Sequence, residues 1–383
     1  MARLRPGARG AEGDAILRNG RRNDAEVALL VGLRRSRQPR WEAEDALEEL
    51  AQLARSAGAR VQGAILQERP APDPRTCIGR GKAEELAAGV TGVDVVIFDE
   101  ELSGSQQRTL EDLLHRKVVD RTGLILDIFA PRARTREAKL QVELAQLDYM
   151  LPRLVGGWAH LERLGGGIGT RGPGETQLES DRRVIRRRMA KLRGDLERVR
   201  RHRALLRRPR QKIPVPVVAL VGYTNAGKSS LLNALTRAGV YEADHLFATL
   251  DPTIRRVRLP DGRPVLLSDT VGFIRKLPHQ LVAAFKATLE EVAAADLLVH
   301  VVDVSHPAME QQRAAVEAVL AGLGVAQAPR IEAYNKADRL PAPPAWSDGG
   351  AKVAVSARTG FGLPDLMKAI ARALDRAPGR NDQ

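Results

Sequence analysis

Short apolar runs alternate with amphipathic stretches through the first third of the chain. Ala25 to Leu33, Val61 to Leu66, Val93 to Phe98 and Gly123 to Phe129 each read as a buried strand. Between them, Trp41 to Ala57 sets Leu47, Leu50, Leu53 and Ala54 on one helical face, and Lys82 to Ala88 and Ser105 to Arg116 also have helical character. This alternation predicts a small α/β domain over 25–131 with a largely parallel sheet. It carries no catalytic constellation. Thr76 to Lys82 is glycine-rich without the spacing of a phosphate loop, and Asp99, Glu100 and Glu101 are expected to end a strand rather than to bind a metal.

The period then changes. Leu140, Leu144, Leu147, Leu151 and Leu154 recur at spacings of 4 and 3, and Ile185, Met189, Leu192, Leu196 and Val199 do the same. Alternating 4/3 spacing is the seam of a two-helix coiled coil, so 132–208 is predicted to be an antiparallel helical hairpin. Its tip, 156–174, contains GGW and GGGIGTRGPG, too much glycine for an ordinary turn, and is expected to be a flexible loop. At ~1.5 Å per residue, the stretch from Arg182 to Leu206 alone makes a rod roughly 37 Å long. Proline-rich 209–216 reads as the linker to a last domain.

That domain, 217–376, again alternates. Val215 to Val221 is a strand and Ser230 to Arg237 a helix, and Thr253 to Ser268 forms a hairpin about Asp261-Gly262. Leu297 to Asp303, Arg330 to Tyr334 and Val353 to Val355 follow as strands, separated by helices at Pro307 to Ala321 and, finally, Leu363 to Leu374. The expected fold is α/β with a mostly parallel, doubly wound sheet. His300, inside an apolar strand, is expected to be a satisfied core histidine and not a ligand.

Charge changes this picture at one place. The net charge is +14, and between Arg182 and Lys212 fifteen Lys and Arg face only Asp195 and Glu197, a local balance of +13. Like charges one helical turn apart repel and need a counter-surface, so the hairpin points to a polyanionic partner, most simply RNA. Arg163, Arg171, Arg182, Arg183, Arg186, Arg187 and Lys191 are the candidate RNA contacts. Residues 1–24 read as a disordered basic arm, with Glu12 and Asp14 arguing against a transit peptide, and 377–383 as a tail. The single cysteine, Cys77, leaves no disulfide framework and suits a reducing cytoplasm. No apolar run approaches the ~18 residues of a membrane span, and a monomer without stable membrane insertion is expected.

The chemistry sits in the last domain. Gly222-Tyr223-Thr224-Asn225-Ala226-Gly227-Lys228-Ser229 fits G-x-x-x-x-G-K-[ST] between a strand and a helix. In that context backbone N–H groups at a helix N-terminus cradle phosphate, Lys228 reaches the β/γ-phosphates and the Ser229 hydroxyl ligates Mg²⁺. Asp269-Thr270-Val271-Gly272 would hold Mg²⁺ through water at Asp269 and meet the γ-phosphate at the Gly272 N–H. Asn335-Lys336-Ala337-Asp338 selects the base, because a carboxylate at Asp338 accepts two hydrogen bonds that guanine offers and adenine does not. Lys336 would cover the ring, Asn335 brace the loops, and the Ala357 N–H, between Ser356 and Arg358, reach the guanine oxygen. The expected ligand is GTP or GDP. The expected activity is hydrolysis of GTP to GDP and phosphate, with Lys228 and Gly272 in catalytic positions.

With these motifs in order, the chain resembles the translation-factor-like superclass of GTPases and, within it, the HflX family of ribosome-associated GTPases. Gly165 to Glu179 (GGGIGTRGPGETQLE), Phe247 to Thr253 (FATLDPT), Asp269 to Ile274 (DTVGFI) and Asp120 to Phe129 carry the likeness over about residues 25–376. The resemblance implies that Thr249 joins Mg²⁺ and the γ-phosphate in the GTP state. It also extends the nucleotide contacts to Ser230, Phe247, Ala248, Leu250 and Asp251. It further implies binding to the large ribosomal subunit and its rRNA, with the glycine loop pushed toward the peptidyl-transferase centre and the subunits of stalled or idle ribosomes separating. Phe273 stands where related proteins place the glutamine that orients water, so slow intrinsic hydrolysis is expected. Asn225 matches an asparagine that holds K⁺ in some relatives, so K⁺ or the ribosome is expected to stimulate turnover. Many members carry a further small domain after the GTPase domain, and its contacts are expected to be absent or replaced here. Two other readings stand beside this one: an assembly or hibernation factor that binds the subunit without splitting ribosomes, and an ATP- or GTP-dependent RNA-remodelling enzyme.

Overall fold

A computed structural model describes residues 25–154, 177–207, 215–236, 246–247, 249–251, 253–276, 291–342 and 351–376. The basic arm 1–24, the glycine loop 156–174 with Arg163 and Arg171, most of the linker 209–216, Ala248 and the tail 377–383 lie outside the described residues.

The first domain runs β1 (Val27–Arg34), α1 (Arg40–Ser56), β2 (Arg60–Glu68), α2 (Arg80–Gly89), β3 (Val95–Phe98), α3 (Gly104–Leu114), β4 (Lys117–Asp120) and α4 (Arg121–Phe129). Its four strands are all parallel in the order β2-β1-β3-β4. One expectation fails. Gly123 to Phe129 is helix, not strand, and the last strand is the shorter Lys117–Asp120 before it. Asp120 starts the helix by accepting the Gly123 N–H at 2.8 Å. All nine residues of α4 are buried, which removes the polar face that marks a helix in sequence.

The hairpin is built from α5 (Arg136–Met150), a 3-10 turn at Leu151–Arg153, and α6 (Gln177–Arg207). The two seams meet, with Leu144, Leu147, Leu151 and Leu154 packing on Ile185 and Met189. Arg188 pairs with Glu143 and Arg182 donates to the Leu154 carbonyl, so the helices run antiparallel. The opposite face of α5 (Ala138, Val142, Ala145, Tyr149) joins the core of the first domain, so the apolar core is continuous across residue 131. A buried polar cluster fixes this base. Asp120 accepts from the Tyr149 hydroxyl at 2.8 Å and from Arg153 at 2.8 Å, and the Arg153 guanidinium lies 3.5 Å over the Tyr149 ring.

The last domain runs β5 (Val217–Gly222), α7 (Lys228–Thr236), β6 (Thr253–Arg258), β7 (Pro264–Asp269), β8 (Leu297–Asp303), α8 (Met309–Gly322), β9 (Arg330–Asn335), β10 (Lys352–Ala354) and α9 (Leu363–Arg376). The sheet order is β10-β9-β8-β5-β7-β6, antiparallel only between β6 and β7. Strand order therefore turns about β5, and the crevice at the C-terminal ends there is where open α/β sheets bind ligands. His300 lies in the core on β8 as expected, but its Nδ1 finds no hydrogen-bond partner among the described residues, so the expected satisfaction does not extend to that atom.

Candidate nucleotide site

The loop between β5 and α7 is a compact curl that ends on a helix N-terminus. Asn225 (φ 61°) and Gly227 (φ 91°) take left-handed backbone. A side chain at Gly227 would be strained there and would also collide with the Asn335 amide. Asn335 is placed between the two loops: its Nδ2 donates to the Ala226 carbonyl at 2.9 Å and its Oδ1 accepts the Ala357 N–H at 3.0 Å. That second bond departs from the sequence reading, since the Ala357 N–H is given to Asn335 rather than turned to a base. Lys336 pairs with Asp303 at 2.6 Å, and the Ser356 hydroxyl donates to Asp338 at 2.6 Å. The Ser356 bond is the main reason the Asp338 carboxyl lies below the usual carboxylate range. Arg358 is exposed beside this loop, and Ala337 is buried beneath it.

At the other side of the crevice three oxygens converge. Asp269 Oδ2 accepts from the Ser229 hydroxyl at 2.6 Å and from the Thr249 hydroxyl at 2.9 Å, and the two hydroxyls are 2.9 Å apart. Asp269 is fully buried and its Oδ1 has no partner among the described residues. An all-oxygen set with an unpaired buried carboxylate oxygen fits the hard donors that Mg²⁺ requires. Burial raises the Asp269 pKa despite Lys228, and burial lowers that of Lys228 to about 8 despite Asp269. Both shifts favour neutral forms, so desolvation here exceeds what the two opposite charges return to each other. The Lys228 ammonium donates to the carbonyls of Gly222 at 3.2 Å and Tyr223 at 2.8 Å. Gly272 lies directly against this loop, where an added Cβ would come within 2.7 Å of Thr224 Cα and 3.1 Å of Lys228 Nζ.

Several expected contacts face elsewhere. The Thr270 hydroxyl donates to the Leu220 carbonyl inside the sheet, and Val271 and Leu250 are buried. The Phe247 ring packs edge-on against Phe129 of α4 at 4.7 Å and 71°. Asp251 turns away from the crevice to α5, as described below. Ser230 is half-buried on the first turn of α7. On α6, Arg183, Arg186, Arg187 and Lys191 are exposed, whereas Arg182 is half-buried against Leu154.

Sequence reasoning missed how much of the first domain enters this region. The Tyr223 hydroxyl donates to Glu49 of α1 and accepts the Arg275 N–H at 2.7 Å. Glu49 also pairs with Arg121, which is buried and holds Asp99 at 2.6 Å. Asp99 and Glu100 in turn take Lys276 at 2.7 and 2.8 Å, and Arg275 reaches Asp45. Burial disfavours the Arg121 charge, but Glu49 and Asp99 outweigh it and raise its pKa. These partners are up to 230 residues apart, and no local pattern marks them.

Comparison with known proteins places the whole arrangement. Residues 44–130 match a family described as the GTP-binding GTPase N-terminal region, 132–210 its middle region, and 217–336 a 50S ribosome-binding GTPase. GTPase HflX of Caldanaerobacter subterraneus subsp. tengcongensis is 55% identical over 353 residues, 92% of this chain and 81% of that protein. The chain belongs to the HflX family of GTPases. GTPase HflX of Escherichia coli is 52% identical over 335 residues, covering 86% of this chain and 79% of its own. Among solved structures, the HflX-family chain is similar to the crystal structure of an SsGBP and GDP complex, with TM-score 0.51 and 25% identity over 91% of this chain and 98% of the other. A GTP-binding protein from Sulfolobus solfataricus in complex with GDP shares the fold at TM-score 0.50 and 24% identity, over 92% and 100% of the two chains. Among the described residues no helix is long and apolar enough to cross a membrane.

Proposed function

We propose that this HflX-family GTPase is a GTP-driven switch on the large ribosomal subunit, in which the nucleotide state of the crevice controls how the basic hairpin engages rRNA. The observation that carries this reading is the attachment of both nucleotide-sensing segments to the domain from which the hairpin springs. Leu246 bonds to Ser56 of α1 and to Arg132, the Phe247 ring packs on Phe129 of α4, Asp251 bonds to the start of α5, and Arg275-Lys276 bond to Asp45, Asp99 and Glu100. In this reading a change at the crevice passes through these contacts to the base of the rod.

In this reading the loop from Gly222 to Ser229 wraps the phosphates and Lys228 exchanges its two carbonyls for phosphate oxygens. Ser229 and Thr249 would hold Mg²⁺ directly and Asp269 through water, and the ion supplies positive charge against the developing charge of phosphoryl transfer. Asp338, held by Ser356, receives guanine, and Lys336, held by Asp303, lies over the ring. Phe273 presents its backbone to the loop, accepting the Thr224 N–H at 2.6 Å and donating to Gly222 at 3.1 Å, while its ring is buried. Nothing at that position orients water, which supports slow intrinsic turnover. Asn225 is exposed, and in this reading its side chain is the group that would hold a cation such as K⁺.

Sedimentation tests the reading directly. Intact ribosomes incubated with protein and GTP are expected to convert to subunits; co-sedimentation with large subunits and no conversion would favour a factor that binds without splitting. Turnover is expected to rise with large subunits and with K⁺ in place of Na⁺. Equal slow rates in all four conditions would remove both stimulations.

A further inference from the structure

The short segment that carries Thr249 has two faces. Thr249 turns toward Ser229 and Asp269, while its described neighbours turn toward the first domain and the hairpin. The Leu246 N–H donates to the Ser56 hydroxyl at 3.1 Å, and its carbonyl accepts from Arg132. Phe247 takes a left-handed φ of 59° and wedges its ring against Phe129. Leu250 is buried. Asp251 closes the strap: Oδ2 accepts the backbone N–H groups of Arg134 at 2.9 Å and Thr135 at 3.1 Å, and Oδ1 accepts the Thr135 hydroxyl at 2.5 Å.

Those donors belong to the N-terminus of α5, the first helix of the hairpin. Thr135 is its N-cap and also accepts the Ala138 N–H at 3.1 Å, so one hydroxyl both caps the helix and grips Asp251. A carboxylate at a helix N-terminus meets unsatisfied N–H donors and the positive end of the dipole, which makes this the favourable place for its charge. Thr249 is thus suspended between a ring anchored on α4 and a carboxylate anchored on α5.

We propose that Asp251 is a positioning residue for Thr249: by gripping Thr135, the N-cap of α5, it holds the strap with the Thr249 hydroxyl already turned toward the metal site. It does not touch the nucleotide. The strap gains from the triphosphate and from the α5 cap together, so the coupling is reciprocal, and triphosphate binding tightens the cap as the cap tightens triphosphate binding. Helix α5 is thereby the element through which the crevice and the hairpin sense each other. This rests on the reading that Thr249 contacts Mg²⁺ and the γ-phosphate, and the test separates the two.

Dissociation constants for a fluorescent GDP and for a fluorescent non-hydrolysable GTP analogue are measured with Mg²⁺ in the full chain, together with amide hydrogen exchange over residues 135–138. Asp251→Ala is expected to leave GDP binding unchanged and to weaken the GTP analogue about tenfold, the size of a lost helix cap. Asp251→Asn, which keeps one acceptor, is expected to fall between, and it carries the test if the alanine variant folds poorly. The GTP analogue is expected to slow exchange at 135–138 in the parent and not in Asp251→Ala. Equal effects on both nucleotides, or none on either, overturn the proposal. In parallel, Thr249→Ala must weaken the analogue selectively. If it does and Asp251→Ala does not, only the role of Asp251 fails; if it does not, the reading of Thr249 fails and this proposal with it.

Discussion

At Phe273 the motif and the packing give different information. The position after Gly272 suggests a catalytic side chain, yet the ring is 2% exposed and clusters with Tyr223, Phe247 and Ile274. Phe273→Gln is therefore expected not to raise the hydrolysis rate but to bury an amide without partners, lowering stability by roughly 2–4 kcal/mol in thermal unfolding. His300 gives a second expectation. Burial lowers its pKa from 6.5 to about 4, so below pH 6.5 the unfolded chain takes a proton that the native chain refuses. Its contribution is intact above pH 6.5 and is lost as pH falls toward 4, by about 3 kcal/mol in full. His300→Leu should flatten the acid limb of a melting-temperature profile across that window. The motif glycines, Lys228 and Asp269 were legible because phosphate and metal chemistry demand those residue types at fixed local spacing. The Asn335 bond to the Ala357 N–H was not, because which partner a donor takes depends on two loops meeting in space.

The elements divide by how many faces they bury. Helix α6 is apolar along one stripe and basic elsewhere, so its period was plain in the residues, and Ile185, Met189, Leu192 and Leu196 are buried as the 4/3 spacing implied. Helix α4 is buried all round, and a short apolar run without a polar face does not distinguish helix from strand. Helix α5 lies between: its leucine seam faces α6, while a second face enters the core of the first domain. That ties the rod to the first domain at its base, while Arg186, Arg187 and Lys191 are exposed and are the groups the proposed function turns to rRNA. Replacing all three by alanine is expected to weaken binding to large subunits and to lower the slope of log affinity against log salt by about 2, while leaving GDP affinity unchanged. A filter-binding series in salt checks both.

Across the whole molecule, the joint between the first and last domains decides how the parts act together. It combines an apolar core shared by Phe129, Tyr223, Phe247 and Phe273 with the ionic chain Tyr223, Glu49, Arg121, Asp99 and Lys276. Removing one partner of a buried ion pair leaves the other charge desolvated and uncompensated. Glu49→Gln is thus expected to cost roughly 3 kcal/mol and to split a single calorimetric transition into two, as the domains lose their common support. A single unsplit transition with an unchanged midpoint would count against a joint of this kind.

The residues by themselves determined the nucleotide motifs, the alternation of strand and helix and the basic hairpin, because each follows from local spacing, period or charge density. Only the tertiary structure decided that Tyr223, Arg275 and Asp251, all within or beside nucleotide motifs, spend their polar groups on Glu49, Asp45 and Thr135. Such pairs form between segments 116 to 230 residues apart, and they meet only because the fold brings those segments together. No period or motif encodes that meeting, and it is what joins the nucleotide crevice to the rod.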